Sequence, residues 1–503
     1  MLLSSVISNM ALSGRPSLPS LFLLILFLVP LNYANSGGIK FDLIHRNHLE
    51  RNSLHGGPQL SRLSRLIAGD VVRLRAISDR QSSRFINNGG FRRRVQERRT
   101  DRPNCSDGGR SSSNRRHDVA GVLPMNSAAD YGVGQYLVRF MVGSPPQKFA
   151  LIADTGSDLT WMNCNYRCRG LGPRPACRRR MRAGVFQADR SASFRTLPCS
   201  SSQCKIDLAG MFSLSQCPSP AAPCAYDYRY SDGSAAAGIF ANETITFTLS
   251  DRRRTKLRNV LVGCTQTAGG QSFVAGDGVL GLGYSNYSVA VAAARRFGGK
   301  FSYCLVDHLS PKNISSYLVF GSPESSAAAV SVRKLRYTRL VLGAIPPFYT
   351  VNLRGISIGA SMLGIPPETW NLNGVGGVIL DSGMSLTALT LPAYRPVMSA
   401  LKRSLAVYRR LDLDIGPLEY CFNSTGFDES AVPRVAFHFA GGARFEPPVK
   451  SYVIDAAAGV KCLGFVAAAW PGASVIGNIM QQNNLWEIDL VNGRLGFGAS
   501  SCT

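Results

Sequence analysis

The sequence predicts an all-β protein of two related, strand-rich lobes facing a central cleft, with few short helices. Three observations carry this. Asp154-Thr155-Gly156, within residues 149–161 (FALIADTGSDLTW), returns in the second half of the chain as Asp381-Ser382-Gly383, within 378–387 (VILDSGMSLT). Each copy is an apolar run ending in Asp, a small hydroxyl residue and Gly. The chain has 503 residues, 45% of them hydrophobic, which is too long for one ordinary domain and apolar enough for a large core. From Tyr136 onward, apolar and polar residues alternate between Gly-, Pro- and Asn-bearing turns.

Two carboxylates held close together cannot both ionise cheaply, so such a pair shares a proton over a wide acidic range. One then serves as a base toward water, and the other as an acid toward a carbonyl. Gly156 and Gly383 let each backbone turn sharply beside its carboxylate. Thr155 and Ser382 supply hydroxyls able to bond across the two loops and fix their spacing. A single Asp-Thr-Gly reads as a turn; two copies, one per lobe-length of chain, read as a site.

Residues 1–36 read as a signal peptide. An apolar run at 21–30 (LFLLILFLVP) follows Arg15 and precedes the small residues Ala34, Asn35 and Ser36. The run is too short to span a bilayer comfortably, and no other long apolar run exists, so no stable membrane anchor is expected. Formal net charge is +25, and much of it lies in 37–125. Residues 59–76 (QLSRLSRLIAGDVVRLRA) place apolar residues at helical spacing with Arg between them; 92–116 are Arg-rich with few large apolar residues. Nucleic-acid binding is not expected behind a signal peptide. The sharper reading is a pro-segment whose basic helix lies over an acidic cleft and leaves at low pH, with maturation between Arg116 and Asp130. Lobes are then expected over 126–335 and 336–503.

Thirteen cysteines follow the leader, Cys105 in the basic region and twelve beyond it. The even number implies disulfides in an oxidising compartment. The spacings between Cys164 and Cys224, with no His among them, fit no common zinc finger, so no metal is expected. Sequons at Asn242, Asn286, Asn313 and Asn423 also suit a secreted chain. Residues 226–234 (YDYRYSDGS) followed by 243–248 (ETITFT) read as a hairpin with Asp-Gly at its tip. Residues 277–283 (DGVLGLG) and 475–478 (VIGN) echo one another beside the two Asp loops. Residues 391–401 are the clearest short helix, a basic stretch near 331–340 links the lobes, and 485–497 close the chain as a hairpin turning at Asn492-Gly493.

From about Tyr136 to Cys502 the chain resembles the pepsin-like aspartic endopeptidases, and within them the plant nepenthesin type. The Cys-dense stretch 164–224 is similar to that family's insert, and residues 41–46 (FDLIHR) to its pro-segments. The resemblance implies Asp154 and Asp381 as the catalytic pair, with Thr155, Gly156, Ser157, Ser382 and Gly383 as loop support. It implies Tyr230 as the flap tyrosine and Trp161 as its support, with Ser231 where the family has Gly. It implies pairings Cys164–Cys168, Cys177–Cys264, Cys199–Cys224, Cys204–Cys217, Cys304–Cys502 and Cys421–Cys462. The second loop departs from the pattern: family members carry Thr or Ser where Met384 stands. Met cannot bond the outer oxygen of Asp381, which predicts a functional but slower enzyme with an altered acid profile.

The resulting expectation is a secreted acid endopeptidase, apoplastic or vacuolar, made as a zymogen. It acts on polypeptide substrates as a monomer and uses no cofactor, since water is the nucleophile. A competing reading is a catalytically silent relative that binds another protein, as plant xylanase-inhibitor-like relatives do; retention of both Asp residues speaks for the enzyme. A serine hydrolase fits poorly, because only His308 and His438 follow the pro-segment and no Gly-x-Ser-x-Gly elbow is read beside them.

Overall fold

The computed structural model describes residues 70, 73, 74, 121–127, 135–166, 183–209, 217, 219–230, 233–249, 253–270, 273–307, 310, 316–321 and 335–502. All belong to one compact unit, Phe41–Thr503.

The two halves repeat one local plan. The strand Gln147–Asp154 pairs antiparallel with Tyr136–Val142. Its last four residues are buried on both faces, as expected of an apolar run covered on both sides. The strand Gly278–Gly281 lies parallel to it, with Gly281 opposite Asp154, and antiparallel to Trp161–Asn165. In the second half, Val378–Leu380 lies parallel to Ser474–Ile476, which also meets Thr387–Thr390 antiparallel. Each carboxylate thus leaves the end of a central strand onto a loop braced by a glycine-bearing neighbour. Only Gly tolerates that approach: a Cβ on Gly278 would meet the Trp161 carbonyl oxygen at 2.1 Å, and one on Gly477 the Leu386 carbonyl oxygen at 2.2 Å.

Strands of the two halves join in one sheet. Among the described residues, one sheet of 15 strands spans both halves. The closing hairpin, Asn484–Asp489 with Arg494–Ala499, pairs with Lys300–Cys304 of the first half. Arg336–Arg339, expected within a linker, is a strand on Arg494–Ala499. At the other end, Gly121–Ser127 lies between Ser316–Phe320 and Tyr136–Val142. A boundary at residue 126 would cut this strand. The helices Val289–Arg296, Leu391–Ser404 and Asn478–Gln481 are short. The first was not foreseen; Ser288 caps it, its Oγ accepting from Val291 N at 3.1 Å.

The disulfides correct the expected pairing in the insert. Cys164 pairs with Cys264, not with Cys168, because their strands run side by side with Asn163 opposite Thr265 and the Cα atoms 5.0 Å apart. Cys264 is thereby unavailable to Cys177; Cys168, Cys177 and Cys105 lie outside the described residues. Cys199 pairs with Cys217 and Cys204 with Cys224, the reverse of the implied exchange. The sulfurs of Cys199, Cys204 and Cys217 lie within 4.8 Å of one another, so small backbone offsets decide the partner. Cys304–Cys502 and Cys421–Cys462 pair as the resemblance implies.

Candidate active site

Asp154 and Asp381 come together, 2% and 0% exposed. The loops grip each other through their hydroxyl residues. Thr155 N donates to Ser382 Oγ at 3.0 Å, and Ser382 N donates to Thr155 Oγ1 at 2.9 Å. Ser382 Oγ also donates to the Ala153 carbonyl at 3.0 Å. These bonds tie the two loops to each other. Inside each loop, the glycine amide donates to its own Asp: Gly156 N to Asp154 Oδ1 at 3.0 Å, and Gly383 N to Asp381 Oδ1 at 2.9 Å. Gly156 must be Gly, since a Cβ there would sit 2.8 Å from both Asp381 oxygens.

The loops then differ. Ser157 Oγ donates to Asp154 Oδ2 at 2.6 Å. Met384 offers Asp381 no such bond; it is fully buried in an apolar cluster with Ile379, Leu386, Ile345, Phe348 and Leu74.

The outer oxygen of Asp381 is held instead by a residue the sequence reading did not single out. Arg73 lies in a helical turn with Asp70 and Leu74, inside the predicted helix 59–76, whose remaining residues fall outside those described. Its Nε donates to Asp381 Oδ2 at 2.7 Å, and its Nη2 to Asp381 Oδ1 at 2.8 Å and Asp154 Oδ1 at 2.7 Å. One guanidinium therefore bridges both carboxylates. Its planar fork suits that task where a Lys ammonium would act only as a point charge. Burial pushes the Asp381 carboxyl up to about 6, against the downward pull of Arg73 and with a further upward push from Asp154. Asp70 accepts from Ser385 N at 3.0 and 3.1 Å and from Leu386 N at 2.7 Å. Burial pushes its carboxyl up to about 7, although these backbone bonds and Arg73 oppose the rise.

The flap candidate is a hairpin of Ala225–Arg229 and Ala235–Thr248, with Arg229 opposite Ala235. Tyr230 sits at its tip, where its N–H donates to the Ser234 carbonyl at 2.8 Å. The Trp161 indole N–H donates to Tyr230 Oη at 2.6 Å, and Phe273 packs edge-on against both rings. Burial holds the Tyr230 hydroxyl well above its ordinary range. Ser231 lies outside the described residues.

Among the glycan candidates, Asn286 is exposed, Asn242 and Asn423 are half-buried, and Asn313 lies outside the described residues. His308 does too. His438 does have a serine partner: Ser357 Oγ lies 2.8 Å from its Nε2, within residues 355–359 (GISIG), a Gly-x-Ser-x-Gly run the sequence reading passed over. That serine sits inside the regular strand Leu353–Ile358 rather than on a strand-to-helix turn, so it lacks the exposed geometry of a nucleophile.

Two family descriptions match the chain, xylanase inhibitor N-terminal over residues 136–322 and xylanase inhibitor C-terminal over 348–499. The chain is 36% identical to Aspartyl protease family protein 2 of Arabidopsis thaliana over 75% of its own length and 73% of that protein's. It is 32% identical to aspartic proteinase nepenthesin-2 of Nepenthes gracilis, covering 74% of this chain and 78% of that one. Conglutin gamma, a basic 7S globulin of lupine seeds, shares the fold at a TM-score of 0.59 and 19% identity, over 76% of this chain and 95% of the globulin.

Proposed function

The chain belongs to the pepsin-like aspartic proteases, with plant relatives that include the nepenthesins, and we propose that it is an acid endopeptidase made as a zymogen. The observation that carries this reading is the gripped pair of buried carboxylates, one from each half. A water between them would give a proton to Asp154 and attack the scissile carbonyl, while Asp381 donates its proton to that carbonyl oxygen. The raised carboxyl of Asp381 suits it to hold the shared proton. Asp154, with donors from both Ser157 and Gly156, is the better seat for the charge. Collapse of the tetrahedral adduct then moves a proton to the leaving amine. Tyr230, tied to Trp161, closes over the bound peptide.

Arg73 supports the zymogen reading, because it occupies the space and the charge that water and substrate would need. Cleavage between residues 116 and 120 would free the Arg73 segment and leave Gly121–Ser127 in the sheet. Disulfides and an exposed Asn286 support passage through the secretory pathway, to the apoplast first and the vacuole second. No described helix is long and apolar enough to cross a membrane. We take the acting form to be a monomer.

The test compares wild type, Asp154→Asn and Asp381→Asn after acid incubation. The reading expects either substitution to abolish cleavage of an unfolded protein while the fold, followed by circular dichroism, is kept. Cleavage surviving in both variants would overturn it.

A further inference from the structure

Four cations share the outer face of the first-half sheet. Lys148 lies on Gln147–Asp154, and Arg254, Lys256 and Arg258 alternate along Arg254–Gly269; all four are exposed. The strands between them bring them into one row. Lys148 stands opposite Met141, Met141 opposite Thr246, and Thr246 opposite Lys256. Residues directly opposite one another share a face of a sheet. The neighbouring positions Phe140 and Phe247 point the other way, into the core, with their rings edge-on at 6.1 Å. At ordinary strand spacing the row from Lys148 to Lys256 crosses about 14 Å, and Arg254 and Arg258 extend it by about 7 Å each way along the outer strand.

No carboxylate answers these charges. Among the described residues none of the four holds an ion pair, whereas Arg229, Arg444, Lys450 and Lys461 elsewhere on the surface each hold a carboxylate at 3.0 Å or less. Within the row, Thr246 is 2% exposed, and its Oγ1 has no hydrogen-bond partner among the described residues. A polar ligand lying on the row can supply that partner once the flexible side chains of Met141 and Lys256 move aside. Cations on an exposed edge also keep foreign strands from pairing. That accounts for 254–258, whose described partner is Ala235–Thr248 alone, but not for Lys148, three strands away.

We propose that this face binds a linear acidic polysaccharide through its carboxylates. A flat row of point charges suits an extended polyanion, whereas a small ligand needs a concave site. None of the exposed large hydrophobic residues, Ile206, Val274, Met362, Leu391, Val407 and Val491, lies on the row, so a lipid surface would gain no insertion there. The disulfides speak for an oxidising compartment, away from nucleic acid. Lys148 and Asp154 lie toward opposite ends of Gln147–Asp154, about 20 Å apart at strand rise. A polymer held at the row therefore leaves the two carboxylates open, and the protein can act while retained on an acidic matrix.

The experiment measures binding to polygalacturonate at about pH 6, where the polymer's carboxylates are ionised. It compares acid-processed wild type with a variant carrying Lys148→Gln, Arg254→Gln, Lys256→Gln and Arg258→Gln. A control carries Arg354→Gln, Arg395→Gln, Arg403→Gln and Arg409→Gln, which removes the same charge from exposed positions of the second half. Circular dichroism checks each fold. At about 0.05 M salt the first variant should bind about tenfold more weakly than wild type and the control within about twofold, and the difference should shrink by about 0.5 M salt. The fully methyl-esterified polymer, with the same backbone and no charge, should not bind, and cleavage of an unfolded protein should be the same in all three proteins. Equal loss in the two variants overturns the proposal, because net charge alone would then account for binding. So does binding of the esterified polymer, and so does tighter binding to phosphatidylserine vesicles than to polygalacturonate, which would assign the face to a membrane. If the fourfold variant fails to fold, Lys148→Gln with Lys256→Gln should still weaken binding about threefold, and no change overturns the proposal. If acid does not process the chain, the zymogen reading fails by itself; the same comparison on full chains, with the Arg-rich 92–116 common to all, then tests the face separately, and equal binding overturns it.

Discussion

Arg73 Nε donates to Asp381 Oδ2 at 2.7 Å, taking the oxygen that in the other loop, on Asp154, is held by Ser157 Oγ at 2.6 Å. The two carboxylates are thus matched in the blocked state and unequal once Arg73 leaves. Several consequences can be measured.

Arg73 should set the pH of activation. Burial raises the Asp381 carboxyl to about 6 and Arg73 pulls it down, so the docked guanidinium favours the proton-free pair. By linkage, that contact is at full strength only above the still higher value the carboxyl has without Arg73, and it is lost as pH falls through about 6. Asp70 has the opposite sign. Its carboxyl rises from 3.8 to about 7 on docking, so its contact gains strength as pH falls toward 3.8. Arg73→Gln should therefore process itself without the threshold near pH 6. Mass spectrometry of the zymogen at stepped pH reads this out, and an unchanged threshold would assign release to other groups.

Met384→Thr should raise kcat and lower stability together. A hydroxyl there would hold Asp381 as Ser157 holds Asp154, but a fully buried methionine would be lost from an apolar cluster. The expected thermal cost is about 1–3 kcal/mol. Turnover unchanged in a folded variant would show that the missing bond does not limit catalysis.

The cross-loop grip should tolerate Thr155→Ser and not Thr155→Ala. The alanine leaves the buried Ser382 N–H without its acceptor, about 1–3 kcal/mol, and frees the carboxylate spacing. Calorimetry and kcat should fall together for Ala and recover for Ser.

Tyr230→Phe removes the acceptor of the Trp161 indole N–H. Flap closure should weaken, raising KM several-fold, by about 1 kcal/mol. A change confined to kcat would point to a role for the hydroxyl in the chemical step instead.

Much of this site is legible in the sequence, because its parts are local. Asp-Thr-Gly and Asp-Ser-Gly after apolar runs announce two loops. The hydroxyl between Asp and Gly announces the grip, and 226–234 announce a hairpin. The basic periodicity of 59–76 announces a helix with a reason to seek acidic partners. That Arg73 in particular fills the dyad is not legible, since several arginines share its spacing and only the three-dimensional register selects one. The insert disulfides fail for a similar reason: three sulfurs lie within 4.8 Å, a distance that spacing along the chain does not encode. The joining of Asn484–Asp489 to Lys300–Cys304 is a pairing nearly two hundred residues apart along the chain, as is the Cys304–Cys502 bridge beside it, with a separation of 198. Local pattern shows the strands but not their partners.

The most direct measurement is cleavage of denatured haemoglobin by the acid-incubated protein between about pH 2.5 and 6, with and without pepstatin, beside Asp154→Asn. The account predicts cleavage that pepstatin blocks and the variant lacks. A folded, correctly processed protein that cleaves nothing across this range would contradict it, and would make this chain a binding member of its family rather than a protease.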